Sequence, residues 1–453
     1  MALAALGLTN IIVLTVGLSV LYVGGYVVYN LFFHPLARYP GPLLMRGTRL
    51  GLSYKMMKGT ISFDVLDLHK RYGEVVRIAP NELAFSNSVA WKDIMGHRAQ
   101  GTGEFEKWDG FYRPVKDLPT DIVNASREEH GAIRRTLANG FSDRSMREQQ
   151  PIIKGYIDLL ISRLHDNCKD GAKTLDIAAW YNYTTFDVIG DLAFGESFGC
   201  LDNSDYHVWV KTIFRMARVG TILQVVKPFP LITKMLLAMA PKAALEERDN
   251  HMAFTRAKLV RRMESGKERP DLVEGLLKKQ DEWGLTMEKL QANSSILIIG
   301  GSETTATLLS GVTYFLLMNP EPMAKLTAEI RGAFKSEDEI DFVSVSSLQY
   351  LLACLDEALR MYPPVPTGLP RVVPKGGASI SGNFIPEDPF HLGARNCLGR
   401  NLAYVEMRLI LARVLWNFDM TIADESKDWV SKQKIFNLWE KGPLLAYLTP
   451  VSR

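Results

Sequence analysis

The stretch Phe390-His391-Leu392-Gly393-Ala394-Arg395-Asn396-Cys397-Leu398-Gly399 decides how the 453-residue chain is read, because it sets one thiol where thiolate chemistry is favoured. Apolar positions from Leu402 to Phe418 recur at the helical period. Cys397 therefore stands at a helix N-terminus, where the positive end of the dipole lowers a thiol pKa. Gly393 and Gly399 allow tight or positive-φ turns and close approach by a flat ligand. Arg395, two residues before the thiol, offers a guanidinium fork to a carboxylate. Together these predict a loop that holds an anionic, metal-bearing macrocycle through sulfur. The bland alternative is a buried, inert cysteine.

The pattern Phe-x-x-Gly-x-Arg-x-Cys-x-Gly resembles the haem-ligand loop of the cytochrome P-450 family. The resemblance implies a mainly α fold with a small β region, and Cys397 as axial thiolate ligand of a haem b iron. It also implies that Gly393 and Gly399 shape the loop and that Arg395 meets a haem propionate. In His130-Gly131-Ala132-Ile133-Arg134-Arg135, an imidazole and a guanidinium four residues apart share one helix face and can reach a single anion. That position resembles the family's propionate-binding helix, against the alternative of a solvated basic face. Arg371, in the strand-like run Pro370-Arg371-Val372-Val373, matches another family position that meets a propionate.

Gly300-Gly301-Ser302-Glu303-Thr304 interrupts the apolar helix pattern Ile296 to Leu317 with two weak helix formers, an acid and a hydroxyl. The glycines permit a bend or close approach to the backbone. The run resembles the family's oxygen-activation motif, in which Thr304 holds water or dioxygen and Glu303 relays protons. A hydrolase nucleophile elbow around Ser302 is the rival, but Thr304 stands where that motif needs glycine and the context is helical throughout. A polar kink in a core helix is the bland reading. Glu357-Ala358-Leu359-Arg360 puts an acid and a base on adjacent helical turns and resembles the family's Glu-x-x-Arg pair, which braces the proximal side of the haem.

Composition is globular, and 53 basic against 50 acidic residues, a net +3, gives no reason to expect nucleic acid. Cys168, Cys200, Cys354 and Cys397 lie far apart, without metal-finger spacing or disulfide density, which suits a reducing compartment. Leu3 to Phe33 carries no charge and is long enough to cross a bilayer of about 30 Å as a helix. Arg38, Arg46, Arg49, Lys55 and Lys58 follow before any acid, which puts the bulk of the chain in the cytosol. We divide the chain into an anchor over 1–33, a proline hinge over 34–50 and a haem-thiolate domain over 51–453. The resemblance implies an endoplasmic reticulum membrane, single-pass, with the sequons at Asn124, Asn182 and Asn293 unglycosylated on the cytosolic side.

No Gly-rich dinucleotide fingerprint follows a strand, so electrons are expected from a separate NADPH-dependent flavoprotein reductase. Arg127, Arg135, Arg144 and Arg400 form its expected docking face. The substrate is expected to be an apolar small molecule, taken up beneath the segment Leu231 to Ala240. Asn401 to Arg408 is similar to fungal members of secondary metabolism, pointing to a polyketide or terpenoid. A haem-thiolate isomerase or dehydratase is the alternative enzyme.

The resemblance breaks once. Pro386-Glu387 runs directly into Asp388-Pro389-Phe390, where the family inserts several dozen residues, including an arginine that joins the Glu-x-x-Arg pair. A shortened transcript and an inactive relative that holds no haem are the two explanations.

Overall fold

The computed structural model describes residues 2–96, 105–113, 118–265, 269, 271–280, 285–387, 390–392 and 397–452. The chain forms two compact units, one from Met1–Pro114 with Thr367–Arg395 and the other from Val115–Pro366 with Asn396–Arg453.

The smaller unit begins with the helix Ala2–Val28, which widens into the π-helical turn Tyr29–Phe33. Thr9–Phe33 is long and apolar enough to cross a membrane, and its side chains are exposed from Thr9 to Tyr26, while Asn30 near its end is buried. His34 ends the helix with ψ 143° because Pro35 disfavours a helical predecessor. Two short apolar runs flank a turn containing Asn81, a pattern that predicts a hairpin, and the strands Val75–Ala79 and Glu82–Phe85 pair antiparallel there. They open a five-stranded sheet that continues through Phe390–Leu392, Pro370–Val372 and Glu106–Lys107. Arg77 is fully buried behind it, held by the carbonyls of Asn30 and Pro80.

This sheet corrects one expectation. The stretch from Phe390 to Gly399 is not one loop: Phe390–Leu392 is a strand, parallel to Glu82–Phe85 and antiparallel to Pro370–Val372. Two neighbouring strands with unsatisfied backbone groups require a partner between them. With the chain shortened at Glu387, these three residues supply it.

The larger unit is helical around one core. Ile177–Phe194 is apolar on nearly every side and packs along Met287–Met318, the longest helix, with Asp143–Cys168 and Arg400–Asn417 completing the bundle. A three-stranded sheet, Thr174–Asp176, Leu445–Pro450 and Phe418–Ile422, and the hairpin Lys434–Phe436 with Leu438–Glu440 finish it. All three sequon asparagines are buried, and Asn293 both donates to Lys289 O and accepts from Ile122 N. A glycan is therefore sterically excluded from the folded chain whichever side of a membrane it faces. Pro230–Ala238 buries no residue, and Leu231 and Met239 are 79% and 75% exposed.

Candidate functional site

Within the larger unit, three sequence-predicted pieces come together. The basic helix Arg127–Ala138, capped by the Ser126 hydroxyl, carries His130 and Arg134 half-buried on one face. Lys289 ties it to the longest helix through Glu129 at 3.1 Å. Phe141, just beyond the basic helix, lies against Gly399, where a Cβ would meet the Phe141 ring at 3.6 Å and the Cys397 thiol at 3.9 Å. Cys397 is exposed, reduced and unbridged, three residues before the helix Arg400–Asn417. Gly399 has φ −82°, so its position does not demand the left-handed backbone that its identity first implies. Gly393 and Arg395 lie outside the described residues.

The longest helix runs unbroken through Gly300 and Gly301. The two glycines do different work. A Cβ on Gly301 would sit 2.6 Å from the Ile189 side chain, so glycine lets the two core helices touch. Gly300 has nothing within 4 Å of its Cβ position and is exposed in mid-helix. Half-buried Thr304, one turn on, donates its hydroxyl to Gly300 O at 2.6 Å. Exposed Gly300 and half-buried Thr304 thus share a stripe less covered than the buried faces of the helix.

Glu303 points elsewhere. Adjacent helical residues diverge by about 100°, and the Glu303 carboxylate is buried against Lys441 Nζ, with Thr307 donating to the same Oε1 at 3.1 Å. Burial raises its pKa, and Lys441 and Thr307 oppose that shift. Its second oxygen, Oε2, is buried with no hydrogen-bond partner. Lys441 lies 138 residues away in a segment that bears no motif, so only the tertiary structure could find it.

Arg371 belongs to the smaller unit, where it is buried with its guanidinium over the Tyr112 ring at 5.4 Å. Glu357 and Arg360 form a two-pronged pair at 2.7 and 2.8 Å on the helix Gln349–Met361, with side chains 60% and 66% exposed. Arg127, Arg135, Arg144 and Arg400 are all exposed, Arg144 paired with Glu148 and Arg400 stacked on Tyr404.

The cytochrome P-450 family model matches residues 38–388 and 389–445, in two pieces that break where the sequence predicts a missing segment. The chain is 43% identical to the cytochrome P-450 monooxygenase tpeC of Talaromyces stipitatus, over 99% of this chain and 97% of the relative. That alignment spans 496 positions, at least 43 more than the chain has residues. It is 39% identical to the trichothecene C-15 hydroxylase of Fusarium sporotrichioides, over 97% and 98% of the two chains. It is 41% identical to the averantin hydroxylase of Dothistroma septosporum, over 96% and 90%. An exposed thiol at a helix start, a bared glycine and threonine stripe, and full-length likeness to these fungal proteins converge: the chain belongs to the cytochrome P-450 family and is an enzyme of its monooxygenase class.

Proposed function

We propose that the protein is a membrane-anchored haem-thiolate monooxygenase that oxidises an apolar small molecule in fungal secondary metabolism. The observation that carries the reading is Cys397, whose thiol is exposed at the start of a core helix in the same unit as the bared stripe of Gly300 and Thr304. These residues fit a haem: a thiolate donor, a helix surface without side chain at residue 300 for a flat group to lie on, and basic side chains for its carboxylates. When bound, the haem supplies dioxygen activation through its thiolate-ligated iron. Cys397 would supply the sulfur that holds it, and His130, Arg134, Arg371 and Arg395 would hold its carboxylates. Thr304 would hold a proton at Oγ1, and Glu303 would replace that proton.

Two of the relatives are named as hydroxylases, of a trichothecene and of averantin, which supports hydroxylation as the reaction. Electrons come from an NADPH-dependent flavoprotein docking on the exposed arginines. The anchor Thr9–Phe33 and the basic residues after it support an endoplasmic reticulum membrane with the catalytic bulk in the cytosol. Exposed Leu231, Met235 and Met239 support membrane contact at a second place, a route for apolar substrates.

The test is the ferrous carbonyl spectrum of the full-length protein in membranes. A thiolate-ligated signature that Cys397→Ser removes is expected; a colourless protein under ample haem sinks the reading. That outcome would favour the second reading, an inactive relative that holds no haem, which the exposed Glu357–Arg360 pair and the recruitment of Phe390–Leu392 into the sheet support.

A further inference from the structure

Within the apolar span Thr9–Phe33 the one buried residue is a polar one, Asn30, at 2% exposed. The next turn offers little to its backbone carbonyl, because the His34 N–H is taken by Tyr29 O at 2.9 Å and Pro35 has no N–H. Arg77 fills the gap, donating from Nη1 to Asn30 O at 2.8 Å. The same guanidinium donates to Pro80 O from Nε and Nη2 at 2.9 and 2.6 Å, and the Arg77 backbone N–H donates to Pro40 O at 2.7 Å. Among the described residues it meets no carboxylate. Enclosing a guanidinium without an acid is costly, so Arg77 is a poor choice for packing alone.

Residue 77 thus gathers the anchor end, the proline hinge and the hairpin turn, all within the smaller unit. Two glycines let these pieces close up. A Cβ on Gly41 would clash with Arg77 O. One on Gly47, whose carbonyl accepts from the Asn30 amide at 3.0 Å, would lie 3.2 Å from the Val27 side chain. The helices fastened there, Leu43–Gly47 and Leu50–Lys58, turn apolar side chains outward: Leu43, Leu44, Leu50 and Tyr54 are 69%, 62%, 60% and 56% exposed. Leu50, Tyr54 and Lys58 recur four residues apart on one face, with the Lys58 ammonium 4.8 Å from the Tyr54 ring centroid. An apolar face edged by an aromatic ring and a cation suits a helix lying in a lipid headgroup layer.

We propose that Arg77 clamps the anchor to the smaller unit as a rigid post, and that the clamp seats Leu43, Leu44, Leu50 and Tyr54 in the headgroup layer of a phospholipid bilayer. The proposal rests on the reading of Thr9–Phe33 as a membrane anchor. Lipid is the occupant because the patch is continuous with the span: the helix that carries Leu43 and Leu44 packs on Val27 and is bonded to Asn30. A loose tether would let this patch leave the membrane. Fixed at the mouth of the span, it stays where the span enters the bilayer.

The test uses spin labels on unnatural amino acids, which spares the native thiols, in the full-length protein held in phosphatidylcholine discs. Labels in place of Val20, on the anchor, and Leu66, on the exposed side of the helix Ile61–Tyr72, report the distance between anchor and unit. A label in place of Leu44 reports depth, by collision with lipid-dissolved oxygen against a water-soluble nickel chelate. The wild type should give one narrow distance distribution and a lipid-embedded label at position 44. Arg77→Met should add a broad second population and bring that label into water, since loss of a charge-assisted hydrogen bond shifts such an equilibrium by roughly 10- to 150-fold. Asn30→Leu removes the bond to Gly47 from a helix end outside the sheet, and should move both readouts the same way by less. It carries the test if Arg77→Met does not fold. A narrow distribution in the folded variants overturns the clamp, and a water-exposed label at position 44 in the wild type overturns the lipid seat. If instead the label at position 20 meets the nickel chelate, the anchor reading itself has failed.

Discussion

Two ion pairs in the larger unit, both built on family motifs, have opposite fates. Glu303–Lys441 is sealed between the longest helix and the strand connection after Leu438–Glu440, with almost no solvent contact. Glu357–Arg360 has near-ideal two-pronged geometry, yet most of each side chain is in water. Geometry is thus the lesser part of an ion pair. What surrounds it sets its strength, because a surface pair in high dielectric contributes little while a buried one is strongly coupled to the fold. The family match breaks between 388 and 389, and the alignment with tpeC spans at least 43 more positions than this chain has residues.

Four outcomes test the contrast. The largest is all or none: Cys397→Ser abolishes the thiolate signature of the ferrous carbonyl spectrum, whereas Cys354→Ser, at a half-buried thiol, leaves it in place. Next, Glu303→Ala destabilises the protein by about 3 to 5 kcal/mol in chemical denaturation, because it strands a buried ammonium. Glu357→Ala leaves the unfolding midpoint within error. Third, inserting the corresponding segment of a relative between Glu387 and Asp388 turns Glu357→Ala into a variant whose Tm falls by several degrees, and it raises haem content after expression. No change in either would mean that the exposed face is already complete.

The smallest effects come from the adjacent glycines. Gly301→Ala meets Ile189 at 2.6 Å and should lose about 1 to 3 kcal/mol by overpacking. Gly300→Ala enters open space and should gain about 0.5 to 1 kcal/mol from helix propensity in the haem-free protein. If the bared stripe receives a flat ligand, the same methyl weakens haem retention. Equal effects at the two positions would dissolve the distinction drawn between them.

Much of the helical frame was legible in the sequence, because a buried stripe repeats at 3.6 residues wherever a core must be covered. The runs Ile296 to Leu317 and Leu402 to Phe418 fall inside the helices Met287–Met318 and Arg400–Asn417. The hairpin around Asn81 was legible from short-range turn chemistry, and the end of the anchor at His34 from the proline after it. Motif residues could be named, but their neighbours could not. Nothing in the sequence links Lys441 to Glu303, separates the roles of Gly300 and Gly301, or turns Phe390–Leu392 into a strand.

The amino-acid order by itself named the candidate site residues, many of the helices and the place where the family pattern breaks, since periodicity and fixed motif spacing are local properties. Only the tertiary structure decided which acid is buried and which is bathed in water, which glycine serves packing and which lies bare. Those outcomes depend on what another part of the chain, hundreds of residues away, brings within a few ångströms.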